Sequence, residues 1–213
     1  MTKEDKAIQD LVKLLFRDDL GKPFDLTKGQ IGMFKAIFLK PHPRIQFECY
    51  TQYGKSDVVA MASLLRVALF PERWVILGGT KEKAEIIMQK VIKHLFENPL
   101  TLGRFKIGED ETLERIKRER SRTRVTFRVD SEGNMGEIYM LSAEARRVGE
   151  NAGDILIGHG AQNLVMDDAA LIQDNIFGKA IRMLGGVEEN FMVKISNPFG
   201  RNHFFQSHND SRY

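Results

Sequence analysis

The stretch "FECYTQYGKSDVV", Phe47 to Val59, decides how this chain is read. Its core, Gly54-Lys55-Ser56, has the form of the end of a phosphate-binding loop, G-x-x-x-x-G-K-[ST], but Cys49 stands where the first glycine of that pattern belongs. Such a loop needs a strand to fix its start, backbone N–H groups turned inward, and a helix N-terminus facing the anion. Here "RIQFECY" alternates and then turns apolar, which predicts a strand, and "DVVAMASLLRVALF" is apolar nearly all round, which predicts a helix buried against a sheet and stopped by Pro71. Lys55 is then the group that neutralises phosphate charge, Ser56 the hydroxyl that ligates Mg²⁺, and Thr51, Gln52, Tyr53, Gly54 and Asp57 the rest of the cradle. Lys55 is expected as a solvated loop charge whose one strong partner is phosphate.

Outward from the loop, the pattern alternates between strand and helix. Upstream, Ile8, Leu11, Val12 and Leu15 recur at helical spacing, "DDLGKPFDLTKGQ" breaks that helix at Gly21 and Pro23, and a short helix over Ile31 to Leu39 ends at "KPHP". Downstream, "RWVILGG" is short and apolar, as in a buried parallel strand. Ala84, Ile87, Met88, Val91, Ile92 and Leu95 form a helical stripe closed by Asn98-Pro99. "TRVTFRVD" and "EIYMLSA" predict two strands joined by "SEGNMG", "NLVMDD" an apolar strand ending in two acids, "NIFGKAIRML" a helix, and "NFMVKISNP" a last strand. The fold class that follows is α/β, a mostly parallel sheet with helices on both faces, of the P-loop nucleoside triphosphatase kind.

A second acidic site belongs with such a loop, because Mg²⁺ is held through an aspartate at the end of a neighbouring apolar strand. Asp167 follows Leu164-Val165-Met166 in that way, and Asp168 falls where the residue that orients the attacking water, usually a glutamate, is found. The alternative is that the two acids cap the following helix.

Composition sets outer bounds. The 213 residues are 42% hydrophobic and 29% charged, with net charge +3, which fits one soluble α/β domain. No apolar run approaches a membrane span and "MTKEDKAIQD" is no signal peptide. Cys49 as the one cysteine excludes an internal disulfide framework and suits a reducing compartment. "RIKRERSRTR", Arg115 to Arg124, reads as a solvated face or a phosphate-contacting patch. The five histidines lack metal-ligand spacing, "SHNDSRY" reads as a frayed tail, and Trp74 reads as core.

With both motifs placed, the chain resembles the ATPase domain of a phage large terminase, the motor that drives DNA into a preformed capsid, from about Gln30 to Gln206. "LTKGQIGMF" resembles the segment whose glutamine reads adenine, which points to Gln30. "CYTQYGKSD" resembles the family's variant loop, which often begins with Cys or Ala, so Cys49 is no defect. "VILGGTKEKAEIIMQKV" resembles the family's next strand and helix. "SAEARRVGENAGDILIGHG" resembles the segment that lends an arginine to ATP on a neighbouring subunit, implying Arg146 as the finger, with Arg147 second. "KISNPFGRNHFFQ" resembles the coupling motif, implying Ser196 and Asn197 as sensors of the γ-phosphate. Two departures stand out: Thr51 and Gln52 lie where the family's loop carries a further Arg or Lys, and Asp168 replaces the glutamate.

The resemblance implies one ATPase domain over 1–213, with a helical lead-in to about residue 40 and a P-loop core over about 44–206, and with no nuclease domain. It implies ATP and Mg²⁺ as ligands. As partners it implies double-stranded DNA, a portal, a small terminase subunit and a homo-oligomeric ring on the capsid, with a monomer in isolation and no membrane. The place of action it implies is the host cytoplasm, docked at the procapsid portal. Two other readings of the same residues stay open: one lobe of a helicase-like translocase, and a nucleotide-binding module that does not hydrolyse.

Overall fold

The computed structural model describes residues 1–107, 112–113, 123–143, 160–185 and 189–213. Two capped helices lead in. Helix α1 (Lys3–Leu15) and helix α2 (Lys28–Leu39) each begin with a capping box, Thr2 with Asp5 and Thr27 with Gln30, which satisfies N–H groups that the first helical turn leaves free. Strand β1 (Arg44–Glu48) runs into the loop, and helix α3 (Lys55–Leu69) follows. Next come β2 (Arg73–Gly78), α4 (Lys81–Glu97) and α5 (Pro99–Arg104). Asn98-Pro99 ends α4 as expected and also opens α5: the Asn98 side chain accepts from the Leu100 N–H, and Pro99 sits where its missing N–H costs nothing.

The expected hairpin is β3 (Arg124–Arg128) and β4 (Met135–Ser142), paired antiparallel. Strand β5 (Asn163–Asp167), a short 3₁₀ turn (Ala169–Leu171), helix α6 (Asp174–Arg182), strand β6 (Phe191–Ser196) and helix α7 (His203–His208) complete the described elements.

The six strands form one sheet in the order β1-β6-β5-β2-β4-β3. Every pairing is parallel except β3 with β4, so the antiparallel strand lies at an edge. Strands β5 and β6 are buried along their whole length, as parallel strands covered on both faces must be. One apolar cluster packs α1 to α4 on one face, and a second packs the 3₁₀ turn, α6 and Phe204 of α7 on the other. Trp74 is core, with its indole N–H donating to Glu72 Oε2 at 2.8 Å.

The tail is not frayed. Ser207 is buried in α7, and the Tyr213 ring centroid lies 4.3 Å from the ammonium of Lys194, a fully buried side chain on β6. That ammonium also donates to His203 O at 3.1 Å and to the Ser207 hydroxyl, and it faces the Phe177 ring at 4.8 Å. Burial pushes it down to about 8. Hydrogen bonds and aromatic faces together compensate the desolvation of a single internal cation, and they pin the last residues to the sheet.

Candidate functional site

The sheet order places three loops side by side. The Gly54-Lys55-Ser56 loop follows the end of β1, the acidic pair leaves the end of β5, and Ser196-Asn197 leave the end of β6, which lies between them. In open parallel sheets ligands bind outside the carboxyl ends of the strands, where such loops converge. There the protein has a cleft of about 430 Å³, lined by Thr51, Gln52, Lys55, Ser56, Asp167, Asp168, Ser196 and Asn197 among others. Residues read separately from the sequence, more than a hundred positions apart, thus meet in one place.

The loop turns on two left-handed residues. Gly54 adopts φ 78° as the N-cap of α3, a left-handed conformation that glycine enters without steric cost, and a Cβ there would lie 2.6 Å from the Gln30 amide nitrogen. Gln52 is also left-handed, at φ 64°. A non-glycine residue held in that region stores strain, and such residues gather at ligand sites. The base of the loop is tied to β6, since the Cys49 N–H donates to Ser196 O at 3.0 Å and Asn197 Nδ2 donates to Thr51 Oγ1 at 2.8 Å. Cys49 is buried, and that burial raises its thiol above the ordinary range.

Lys55 is not the solvated charge expected from sequence. Its side chain is 16% exposed, and its ammonium donates to Asp168 Oδ1 at 2.5 Å and lies 3.9 Å from Asp167 Oδ1. The sheet order brings the β5 acids across the cleft to the loop, which local sequence cannot show. On its other oxygen, Oδ2, Asp168 accepts from Lys83 at 2.9 Å. Burial raises Asp168, but the Lys55 and Lys83 bonds together outweigh it and hold the carboxyl below the usual range. Asp168 is itself left-handed, at φ 50°, ψ 41°, and no side-chain bond from it caps the 3₁₀ turn that follows. The capping alternative is thereby set aside, and the strand-end carboxylate faces Lys55.

Asp167 is the opposite case. It is 3% exposed, and burial first, then the Asp168 charge, push it up to about 6. Its buried Oδ1 accepts no hydrogen bond. A buried carboxylate oxygen without a donor, in a cleft also lined by Ser56, could serve as a ligand to a hard divalent cation that took its remaining oxygens from phosphate and water. Among the described residues no group of three or more His, Cys, Asp or Glu could hold a metal without such outside ligands.

Other residues singled out from sequence lie around the cleft rather than in its lining. Gln30 Oε1 accepts from the Thr27 N–H at 2.9 Å, and its Nε2 donates to Tyr53 O at 2.8 Å, so it braces the loop from α2. The Tyr53 ring meets Tyr50 edge-on at 5.1 Å. Asp57 pairs with Lys90 of α4 at 2.7 Å. Arg146 and Arg147 lie outside the described residues, as does most of the basic run from Arg115. Sequence reasoning missed Lys83, since a lysine in the third position of a helix carries no motif, and it missed the Thr51–Asn197 bond, which only the β1–β6 pairing creates.

No protein-family model matches the sequence, and no curated protein matches it. Solved structures do match in fold. The large terminase of bacteriophage HK97 superposes with a TM-score of 0.66 at 17% identity, over 92% of this chain and 38% of that one. The large terminase ATPase domain of Thermus phage P74-26 gives 0.63 at 22% identity, over 86% and 69%. The large terminase of a thermophilic bacteriophage, solved in complex with ADP, gives 0.53 at 16% identity, over 85% and 41%. The chain therefore spans well under half the length of the first and third of these proteins. Its fold is the P-loop α/β fold of phage large-terminase ATPase domains.

Proposed function

We propose that this chain is an ATP-hydrolysing motor domain of a viral DNA-packaging terminase. The observation that carries the proposal is the meeting of Lys55, Ser56, Asp167 and Asp168 in one cleft at the carboxyl ends of β1, β6 and β5. The fold shared with phage large terminases, one of them solved with ADP, supports the same reading.

In this reading the N–H groups of the loop and the N-terminus of α3 receive the β-phosphate. Lys55 exchanges its Asp168 oxygen for phosphate oxygens, a competition that the higher charge of a triphosphate favours. Ser56 and Asp167 would hold Mg²⁺, which when bound would supply positive charge to the phosphate oxygens. Asp168, released from Lys55, orients the attacking water. Because phosphoryl transfer places little covalent demand on the protein, these charges and their placement are the catalytic apparatus. Ser196 and Asn197 adjoin the loop through Cys49 and Thr51, so movement of the phosphate end is passed to β6 and to α7 beyond it. A neighbouring subunit in a ring would supply Arg146, or Arg147, to the γ-phosphate. Such an arginine contributes roughly 10³–10⁵ in rate in comparable enzymes, so the isolated domain, a monomer, turns over slowly. Double-stranded DNA, a portal and a small terminase subunit complete the proposed assembly, acting in the host cytoplasm at the procapsid.

The test mixes two crippled proteins, Arg146→Ala and Lys55→Ala, under conditions that support ring assembly, and measures phosphate release. Recovery of activity that neither has alone is expected. Tight ATP binding with no turnover in any assembled form would instead favour the non-hydrolysing module, in line with Asp168 standing in place of glutamate.

A further inference from the structure

Lys83 is a cation in the cleft that no motif accounts for. It lies in the first turn of α4, and its ammonium donates to Asp168 Oδ2 at 2.9 Å while Lys55 donates to Oδ1 of the same carboxylate at 2.5 Å. Two ammonium groups are thus held on either side of one carboxylate, Lys55 on the loop side and Lys83 on the far side. Both line the same cleft with Ser56 and Asp167.

The position of Lys83 is built in. Gly78 ends β2 in register with Asp167, and a Cβ on Gly78 would lie 2.5 Å from the Ala84 backbone nitrogen. The first turn of α4 can approach β2 so closely only because residue 78 is glycine, and this close approach sets Lys83 beside the acids. The Thr80 hydroxyl accepts from the Lys83 N–H at 3.4 Å, fixing the same turn. The side chain itself is 47% exposed, so its ammonium keeps the freedom to turn.

We propose that Lys83 is a phosphate-contacting residue that recognises the terminal phosphate of a nucleoside triphosphate, supplying in cis the second positive charge that Thr51 and Gln52 do not. The assignment rests on the cleft being a nucleotide site. Lys55 and the α3 N-terminus address the phosphates nearest the loop. Lys83, one carboxylate further out, addresses the phosphate that a diphosphate lacks. An ammonium has three protons to donate, so Lys83 holds Asp168 with one and reaches phosphate with another. A charge-assisted bond made to one ligand and not to the other appears directly as a difference in affinity.

The experiment measures affinity by calorimetric titration, with Mg²⁺, for ADP and for a non-hydrolysable ATP analogue. It compares the wild-type chain with Lys83→Met, Lys83→Arg and a control, Lys81→Met, which removes an equal charge from the same helical turn at a residue whose ion pair is with Glu85, outside the cleft lining. Lys83→Met is expected to weaken the triphosphate analogue about tenfold, the scale of one lost charge-assisted hydrogen bond, and ADP by less than about twofold. Lys83→Arg should recover most of the loss, and Lys81→Met should change neither ligand. Equal weakening of both ligands in Lys83→Met, or no weakening of either, overturns the assignment while leaving the nucleotide site in place. A wild-type chain that binds neither ligand overturns the site and the assignment together. Thermal melts of each variant confirm folding, which a half-exposed lysine in a first helical turn does not govern.

Discussion

Lys55 Nζ donates to Asp168 Oδ1 at 2.5 Å, joining two residues 113 positions apart. The loop lysine and the strand-end carboxylate neutralise each other; under the proposed function, a phosphate that claims Lys55 would take it from Asp168 Oδ1 and leave that oxygen open to water, with Oδ2 still held by Lys83.

Lys55→Ala should abolish measurable ATP binding in calorimetric titration. The fold should lose only about 1 kcal/mol, because Asp168 keeps its Lys83 partner and part of its solvent contact. Urea unfolding separates the two effects; a loss of several kcal/mol would mean that the pair is structural first.

At Asp168 the substitutions divide reach from charge. Asp168→Glu should raise steady-state phosphate release, since the longer carboxylate extends further toward the water position. It should also cost roughly 0.5–1 kcal/mol, because glutamate tolerates the left-handed backbone at this position less well than aspartate. Asp168→Asn should lower turnover and spare nucleotide binding. Equal rates in all three forms would remove Asp168 from the reaction.

Acid should weaken the fold through two buried imidazoles. His94 meets the Phe16 and Phe24 rings in T-shaped contacts, and His203 stacks on Phe177 at 4.0 Å. Burial first, then a neighbouring lysine charge, pushes each down to about 4 from an ordinary 6.5. Between those values the unfolded chain binds more protons than the folded one, so stability is lost as the pH falls, on the order of 3 kcal/mol for each histidine over the whole interval. Asp167 acts the other way. Raised to about 6, it favours the folded state as it protonates, and it offsets part of one histidine. Urea midpoints at about pH 7 and about pH 5 should therefore fall in the wild-type chain, and by clearly less in His94→Leu.

Glu72 is the hub of a buried network just before β2, at the opposite end of that strand from the cleft. It accepts from Lys40 at 2.7 Å, from Trp74 at 2.8 Å and from Arg66. Burial pushes its carboxyl up, but those bonds together outweigh burial and hold it below the usual range. Glu72→Ala should cost roughly 3 kcal/mol, since it strands two poorly solvated cations. Glu72→Gln should cost less because it keeps acceptor oxygen for one of them. Thermal unfolding at a lowered midpoint, with intact nucleotide binding, is the expected outcome for both.

The sequence by itself determined the elements and the two local motifs. Apolar periodicity placed α1 to α4 and the strands, because burial of one stripe or of both faces is written into neighbouring residues. Gly54-Lys55-Ser56 and Asp167-Asp168 were legible because each is contiguous and each follows an apolar strand. Only the tertiary structure decided what those motifs touch. The placing of β6 between β1 and β5 set Asn197 against Thr51 and the acids against Lys55. The close approach of α4 at Gly78 brought in Lys83, and the packing of α7 turned the expected loose tail into a cover over Lys194. Each of these is a contact between segments far apart in the chain. It is fixed by sheet order and by how near two backbones come, and neither quantity leaves a periodic trace in the residues that make the contact.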